Sequence, residues 1–284
     1  MAVLGRLCFF CLVLAACGAA AAENDFHFSI VGDRTGSAVP GVYEQVWREI
    51  ERLGPDFIVN VGDTIEGQTL GRPREEWEEL SAFWRRFGLR QYFTPGNHDI
   101  WSPDSLVLYR RYTARPTMYS FTWQNAYFAV LDNSRTLDLP EEQYRFLEAD
   151  LRKHRDFEPK FVFFHKPFWI AFLKVGSGSF PLHRIAVRHR VTYVVSGHTH
   201  TFDRMERDGV GYLIVGSSGG ALRGDSEAEG SLERGHFYHH IRGHVRGASV
   251  RLTVKELDAP AGKGRVFDAT GWPLSAGRAA ADGR

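Results

Sequence analysis

Cysteine is almost missing from this sequence. Its three thiols, Cys8, Cys11 and Cys17, all lie within the first 17 residues. The body that follows has none, which excludes disulfide staples, thiolate ligands and a cysteine nucleophile. Any metal held there must be bound by oxygen and imidazole. Net charge is equally scarce at +1, so there is no electrostatic case for nucleic acid or an anionic membrane face as the main partner. A long hydrophobic run is missing too. "LCFFCLVLAA", which follows Arg6, is too short to span a bilayer and suits the core of a signal peptide over residues 1–22. It ends in "LAAC", the form of a bacterial lipobox, in which Cys17 would be lipidated after cleavage and tether the domain. The alternative is ordinary cleavage in the alanine tract at Ala20 to Ala22, which discards Cys17. Either way the chain is expected to be exported: a periplasmic or outer-membrane lipoprotein touching the membrane only through its lipid, or a secreted protein.

The 284 residues are 43% hydrophobic and 13% aromatic, enough for a substantial core in one large domain or two small ones. No internal repeat or long low-complexity tract interrupts them. Short apolar runs alternate with amphipathic stretches. Strands are predicted over 26–33, over 57–63 and in "QYFTPGNHD", with helices over 42–53 and 75–87 between them. That β-α-β-α-β order predicts a mostly parallel sheet with helices outside it. Two strands around a Gln-Asn turn follow over 118–133, then a helix over 141–154 and strands over 160–167 and 191–200. The stretches "TFDRMERDG", "VGYLIVGSSGG", "HFYHHIRGH" and "ASVRLTVKEL" read as an antiparallel set. The economical architecture is an α/β, four-layer β-sandwich: two mixed sheets face to face, flanked by helices, over residues 25–257. Residues 169–184 and 219–235 read as loops around the mouth of a site, and the His cluster 236–240 as surface strand residues. The last segment, 258–284, is rich in Ala, Gly and Arg and is expected to be poorly ordered.

Five apolar strands end in Asp, Asn or His: "VGDRTG", "VGDTIEG", "PGNHD", "FFHKP" and "SGHTH". A single Gly-Asp after a strand is ordinarily a turn, and a single His there is ordinarily a hydrogen-bonded boundary residue. Five in succession, each at a strand end, call for one shared site, since side chains at the carboxyl ends of parallel strands converge. In "GHTH" the two imidazoles are two residues apart and share a face if extended.

The order GD, GD, GNHD, H, GHTH resembles the calcineurin-like metallophosphoesterase superfamily, which includes the purple acid phosphatases. The resemblance runs from residue 26 to about 220 and implies the sandwich fold with two metal ions between strand ends. Carried over, Asp63 would bridge the ions; Asn97, His165 and His198 would complete one; Asp33 and His200 would join Asp63 on the other. His98 would face the phosphate, with Asp99 fixing its orientation. Arg34, beside a ligand, could hold a phosphate oxygen.

One motif departs from the superfamily's pattern. Many members carry Asp-x-His first, and here that position is Thr35. Purple acid phosphatases also lack this His and use a Tyr three residues after the bridging Asp. Here that residue is Glu66, inferred as a further ligand, and the iron–phenolate colour should be absent. The resemblance implies a metallophosphoesterase in which hydroxide activated by two Fe, Mn or Zn ions attacks a phosphate mono- or diester, with His98 as general acid. The alternative is a tethered binding or scaffold protein that keeps the fold and has lost catalysis.

Overall fold

The computed structural model describes residues 24–174, 180–222, 235–258 and 263–271. The expected signal segment and Cys17 lie outside these residues. In chain order the elements are β1 (Asp25–Val31), α1 (Val42–Leu53), β2 (Phe57–Asn60), α2 (Pro73–Arg85), β3 (Gln91–Phe93) and α3 (Pro103–Thr113). Then come β4 (Tyr119–Trp123), β5 (Ala126–Val130), α4 (Glu141–Lys153), β6 (Lys160–Phe163), α5 (Trp169–Lys174) and α6 (Pro181–Arg188). Last are β7 (Tyr193–Ser196), β8 (Phe202–Arg207), β9 (Val210–Val215), β10 (His239–Arg246), β11 (Ser249–Glu256) and β12 (Val266–Asp268).

These strands form two six-stranded mixed sheets, in the orders β12-β11-β10-β1-β2-β3 and β4-β5-β6-β7-β9-β8. In the first, β1, β2 and β3 are mutually parallel. In the second, β5, β6, β7 and β9 are parallel. Alternation along each strand divides its side chains between two layers. Phe57 and Val59 of β2 enter the core between the sheets, while Ile58 packs under the helices. Aromatic rings lock the two sheets together. Phe28 meets Phe161 edge-on at 5.3 Å between centroids, and Phe57 meets Phe128 edge-on at the same distance. Outside the first sheet, Trp47, Trp77 and Tyr109 fill the space under α1, α2 and α3; outside the second, Leu147 and Trp169 do so under α4 and α5. The α/β four-layer sandwich predicted from the sequence is the observed fold. Among the described residues no helix is long and apolar enough to cross a membrane.

The expected details change in several places. The sequence reading assigns no element between 100 and 117, yet α3 is there, capped by Ser102 with Pro103 in its first turn. The stretch 169–184, read as a loop, carries α5 and the start of α6, whose Trp169, Leu182 and His183 are buried. Residues 223–234 of the other expected loop lie outside the described residues. The antiparallel set divides, because β8 and β9 join one sheet and β10 and β11 the other. His239 and His240 are fully buried, not on the surface: one packs against Phe202 and Phe237, the other against Glu49 of α1. The expected tail contains β12, paired with β11. Beside it Arg265 closes a two-nitrogen clamp, at 2.6 and 2.7 Å, on buried Glu256. That clamp explains an ordered segment where the composition suggests none.

Candidate metal centre

The carboxyl ends of β1, β2 and β3 in one sheet, and of β6 and β7 in the other, carry every residue singled out above. Asp33 follows β1, Asp63 follows β2, Asn97 to Asp99 follow β3, His165 follows β6, and His198 and His200 follow β7. The backbone bends sharply at these points. Asp33, Asp63, His198 and His200 all have left-handed backbones, with φ of 45°, 54°, 73° and 50°. Non-glycine residues rarely adopt that region, and Asp, Asn and His tolerate it better than most. Motif glycines allow the close approach. A Cβ on Gly96 would lie 2.1 Å from the Asp63 nitrogen, and one on Gly62, itself at φ 103°, would lie 2.6 Å from His165 Nδ1.

Asp63, His165 and His198 each aim one donor atom into a common space, with those atoms all within 4.8 Å of one another. His165 Nε2 is buried with no hydrogen-bond partner other than its 3.0 Å ion-pair contact with Asp63 Oδ2. Asn97 Oδ1 is likewise buried and unpartnered. Native interiors rarely leave such atoms unsatisfied, and a bound cation is the kind of partner each of them lacks. Beside this group, His200 Nε2 lies 3.8 Å from Asp33 Oδ1. The imidazoles are oriented from behind. His165 Nδ1 contacts the Val61 carbonyl at 2.9 Å, and His200 Nδ1 the Ala221 carbonyl at 2.5 Å. A carbonyl only accepts, so Nδ1 carries the hydrogen in each ring and Nε2 is left to bind. The donor set of carboxylate, amide oxygen and imidazole fits Fe, Mn or Zn without choosing among them.

Electrostatics point the same way. Burial alone would hold His165 neutral, but the neighbouring Asp63 charge outweighs it and raises the imidazole to about 9. Burial works against the Asp63 charge too, and His165 prevails, holding that carboxyl below its usual range. Asp33 is pushed well up by burial and by the Asp63 charge, opposed by His165. Protons therefore occupy the metal-free site where cations would otherwise neutralise it.

Other expected residues take different positions. Glu66, inferred as a ligand, is not among the grouped donors. Its Oε1 accepts from the Ala38 amide at 2.7 Å and its Oε2 from the Gly36 amide at 3.3 Å, so the carboxylate fastens the loop after β1. Asp99 does not orient the His98 ring. Its oxygens accept from the amides of Gly96, Thr64 and Ile65, joining the second motif to the third. The ring is set instead by the Glu66 carbonyl, 3.1 Å from His98 Nδ1. Arg34 donates to the Thr64 carbonyl at 3.2 Å and lies over the Tyr43 ring.

The sequence reading missed two supports. Glu76, buried in the first turn of α2, accepts from the amides of Glu66 and Gly67 and so fixes the carbonyl that orients His98. Nothing in "REEWEEL" distinguishes it from its neighbours. Asn133 Oδ1 accepts from the amides of His165 and Lys166. It ends the strand run "FAVLDN", so the strand-end rule that found the other motifs would have found this one.

Residues 21–202 match the model of the calcineurin-like phosphoesterase family, and the chain belongs to that family. No curated protein sequence matches it. Its backbone is similar to that of the purple acid phosphatase PPD1 from yellow lupin (TM-score 0.64, 14% identity, 89% of this chain and 53% of that one). The chain thus spans about half the length of the lupin enzyme, 53%. It is similar as well to GAP50, the anchor in the inner membrane complex of Plasmodium (0.63, 15%, 86% and 88%). A third similar structure is a dimetal phosphatase from Danio rerio (0.59, 14%, 86% and 98%). At such identities the likeness establishes the fold, which serves phosphatases and an anchor alike, so function has to be argued from the site.

Proposed function

We propose that this chain is a metal-dependent phosphoesterase with a dinuclear centre, in which Asp63 lies between the two ions. Asn97, His165 and His198 complete one side, and Asp33 and His200 the other. The observation that carries this reading is the convergence of Asp63, His165 and His198 donors within 4.8 Å, together with a buried, unpartnered Asn97 oxygen in the third motif. Bound there, the cations would supply Lewis acidity toward a phosphate oxygen and an attacking water. The remaining roles belong to the chain. His98, with Nδ1 committed to the Glu66 carbonyl, keeps Nε2 for protonating the leaving oxygen. Its own amide donates to Asp63 Oδ1 at 2.9 Å, so the acid and the bridging carboxylate are fixed to one another. Arg34 offers its guanidinium to the anionic substrate.

Turnover of p-nitrophenyl phosphate and of its bis-ester, with and without added Mn²⁺, tests the proposal. Activity that needs the metal and disappears in Asp63→Ala supports it, and the preferred ester separates a monoesterase from a diesterase. Wild type no more active than Asp63→Ala under any metal would leave a binding or anchoring role. We further propose that the chain is exported and tethered through Cys17. Mass spectrometry of protein recovered from membranes would show the lipid on Cys17, or a start after the alanine tract.

A further inference from the structure

A second groove lies away from the metal centre, on the outer face of the first sheet beside α1. It has a volume of about 410 Å³ and is lined by Glu49, Arg52 and Leu53 of α1, His240 and Arg242 of β10, Thr253 and Lys255 of β11, and Asp258 and Val266. That volume is within the range of small-molecule sites. The side chains share the groove for simple reasons. His240 and Arg242 are two apart on a strand and face the same way. Lys255 and Thr253 are their cross-strand partners. Glu49 and Arg52 are three apart on a helix and share a face.

Two buried nitrogens here lack hydrogen-bond partners, His240 Nδ1 and Arg242 Nε. His240 is fully buried, and its other nitrogen, Nε2, is 3.1 Å from Glu49 Oε2. A carboxylate accepts, so Nε2 carries a hydrogen, and in the neutral ring Nδ1 is then free to accept from a donor. Arg242 Nε needs an acceptor. Lys255 is already engaged, by the Glu256 and Gly264 carbonyls and by Asp258. Among the described residues, the positive charges of Arg52 and Arg242 have no acidic partner within ion-pair distance. We propose that this groove binds a small hydroxylated organic anion. Its phosphate or carboxylate accepts from Arg242 and Arg52, and a neighbouring hydroxyl donates to His240 Nδ1.

The two anion sources are separable with malate and glycerol 3-phosphate as probes. Each is titrated into labelled metal-free protein, and the His240 ring and Arg242 Nε–H resonances are followed by NMR. Malate carries no phosphate ester and so keeps the readout apart from turnover. The expected result is saturable shifts at both residues with at least one probe, and about tenfold weaker binding of acetate or glycerol, each holding half the chemistry. Arg242→Gln, and independently the exposed Arg52→Gln, should weaken the better probe about tenfold. Arg52→Gln covers the case in which the β10 variant fails to fold. Absence of saturable shifts with both probes, or unchanged affinity in Arg52→Gln, would overturn the proposal. Because the metal centre is empty throughout, either result is independent of whether the protein hydrolyses phosphate esters.

Discussion

The two sides of the metal centre are built differently. On one, the donors of Asp63, His165 and His198 are packed within 4.8 Å, and the Asn97 oxygen of the third motif is buried without a partner. On the other, Asp33 and His200 stand 3.8 Å apart, Thr35 occupies the place of a ligand, and the Glu66 carboxylate is turned to the Gly36 and Ala38 amides. In the proposed dinuclear arrangement, with Asp63 counted on both sides, the first would have four protein donors and the second three. If both sides hold ions, the one with fewer donors should bind more weakly: one ion retained through purification, the other exchanging with the medium.

Four experiments sharpen or break this contrast. Removing a ligand has the largest effect. His165→Ala should lower activity beyond the roughly 10–100-fold typical of outer-shell partners and abolish the tightly held ion. His200→Ala should leave one ion per chain by elemental analysis. Equal ion loss in both variants would break the distinction. Next is His98→Gln, expected to lower kcat by about 10²–10⁴-fold with metal content unchanged. A variant that lost metal would show that the His98 ring supports the centre instead of moving a proton.

The third experiment concerns pH. His165 is raised to about 9 when metal-free, above its ordinary value, so its proton is present at neutral pH and must leave when an ion binds. Affinity on the tighter side should then rise with pH by up to about tenfold per unit and level off above about 9. Calorimetry in buffers of different ionisation enthalpy would count the proton released, and a pH-independent affinity would contradict the assignment. The smallest effect is expected from Glu66→Gln: unchanged metal content and about 1 kcal/mol lower stability, from weakened charge-assisted bonds to two loop amides. Loss of an ion would restore Glu66 as a ligand.

The degree to which the site could be read from sequence follows the same divide. Residues placed by their position at a strand end, such as Asp63 and His165, could be located because alternating apolar runs reveal where strands stop. Amphipathic periodicity likewise gave α1 over its full extent, Val42–Leu53. Residues whose role depends on what a backbone carbonyl or amide reaches were not. Glu66 had the right spacing for a ligand but found nearer donors, and Asp99 sat next to His98 without bonding to its ring. Proximity in sequence carries no information about which way a carboxylate turns once the loop is folded. The β12 strand was hidden for a related reason, since the Arg265–Glu256 clamp that holds its neighbourhood is a pairing and leaves no periodicity.

The left-handed backbone at Asp33, Asp63, His198 and His200 has one more consequence. Glycine would sit there without strain, but Asp63 and Asp33 also accept the His98 and His198 amides, so backbone strain and buried hydrogen bonds oppose one another at these positions. Of order 1 kcal/mol or more is at stake at each such residue. Asp63→Gly should therefore be inert and yet, compared metal-free, melt at a higher temperature than Asp63→Ala, which loses the same side-chain bonds and keeps the strained backbone.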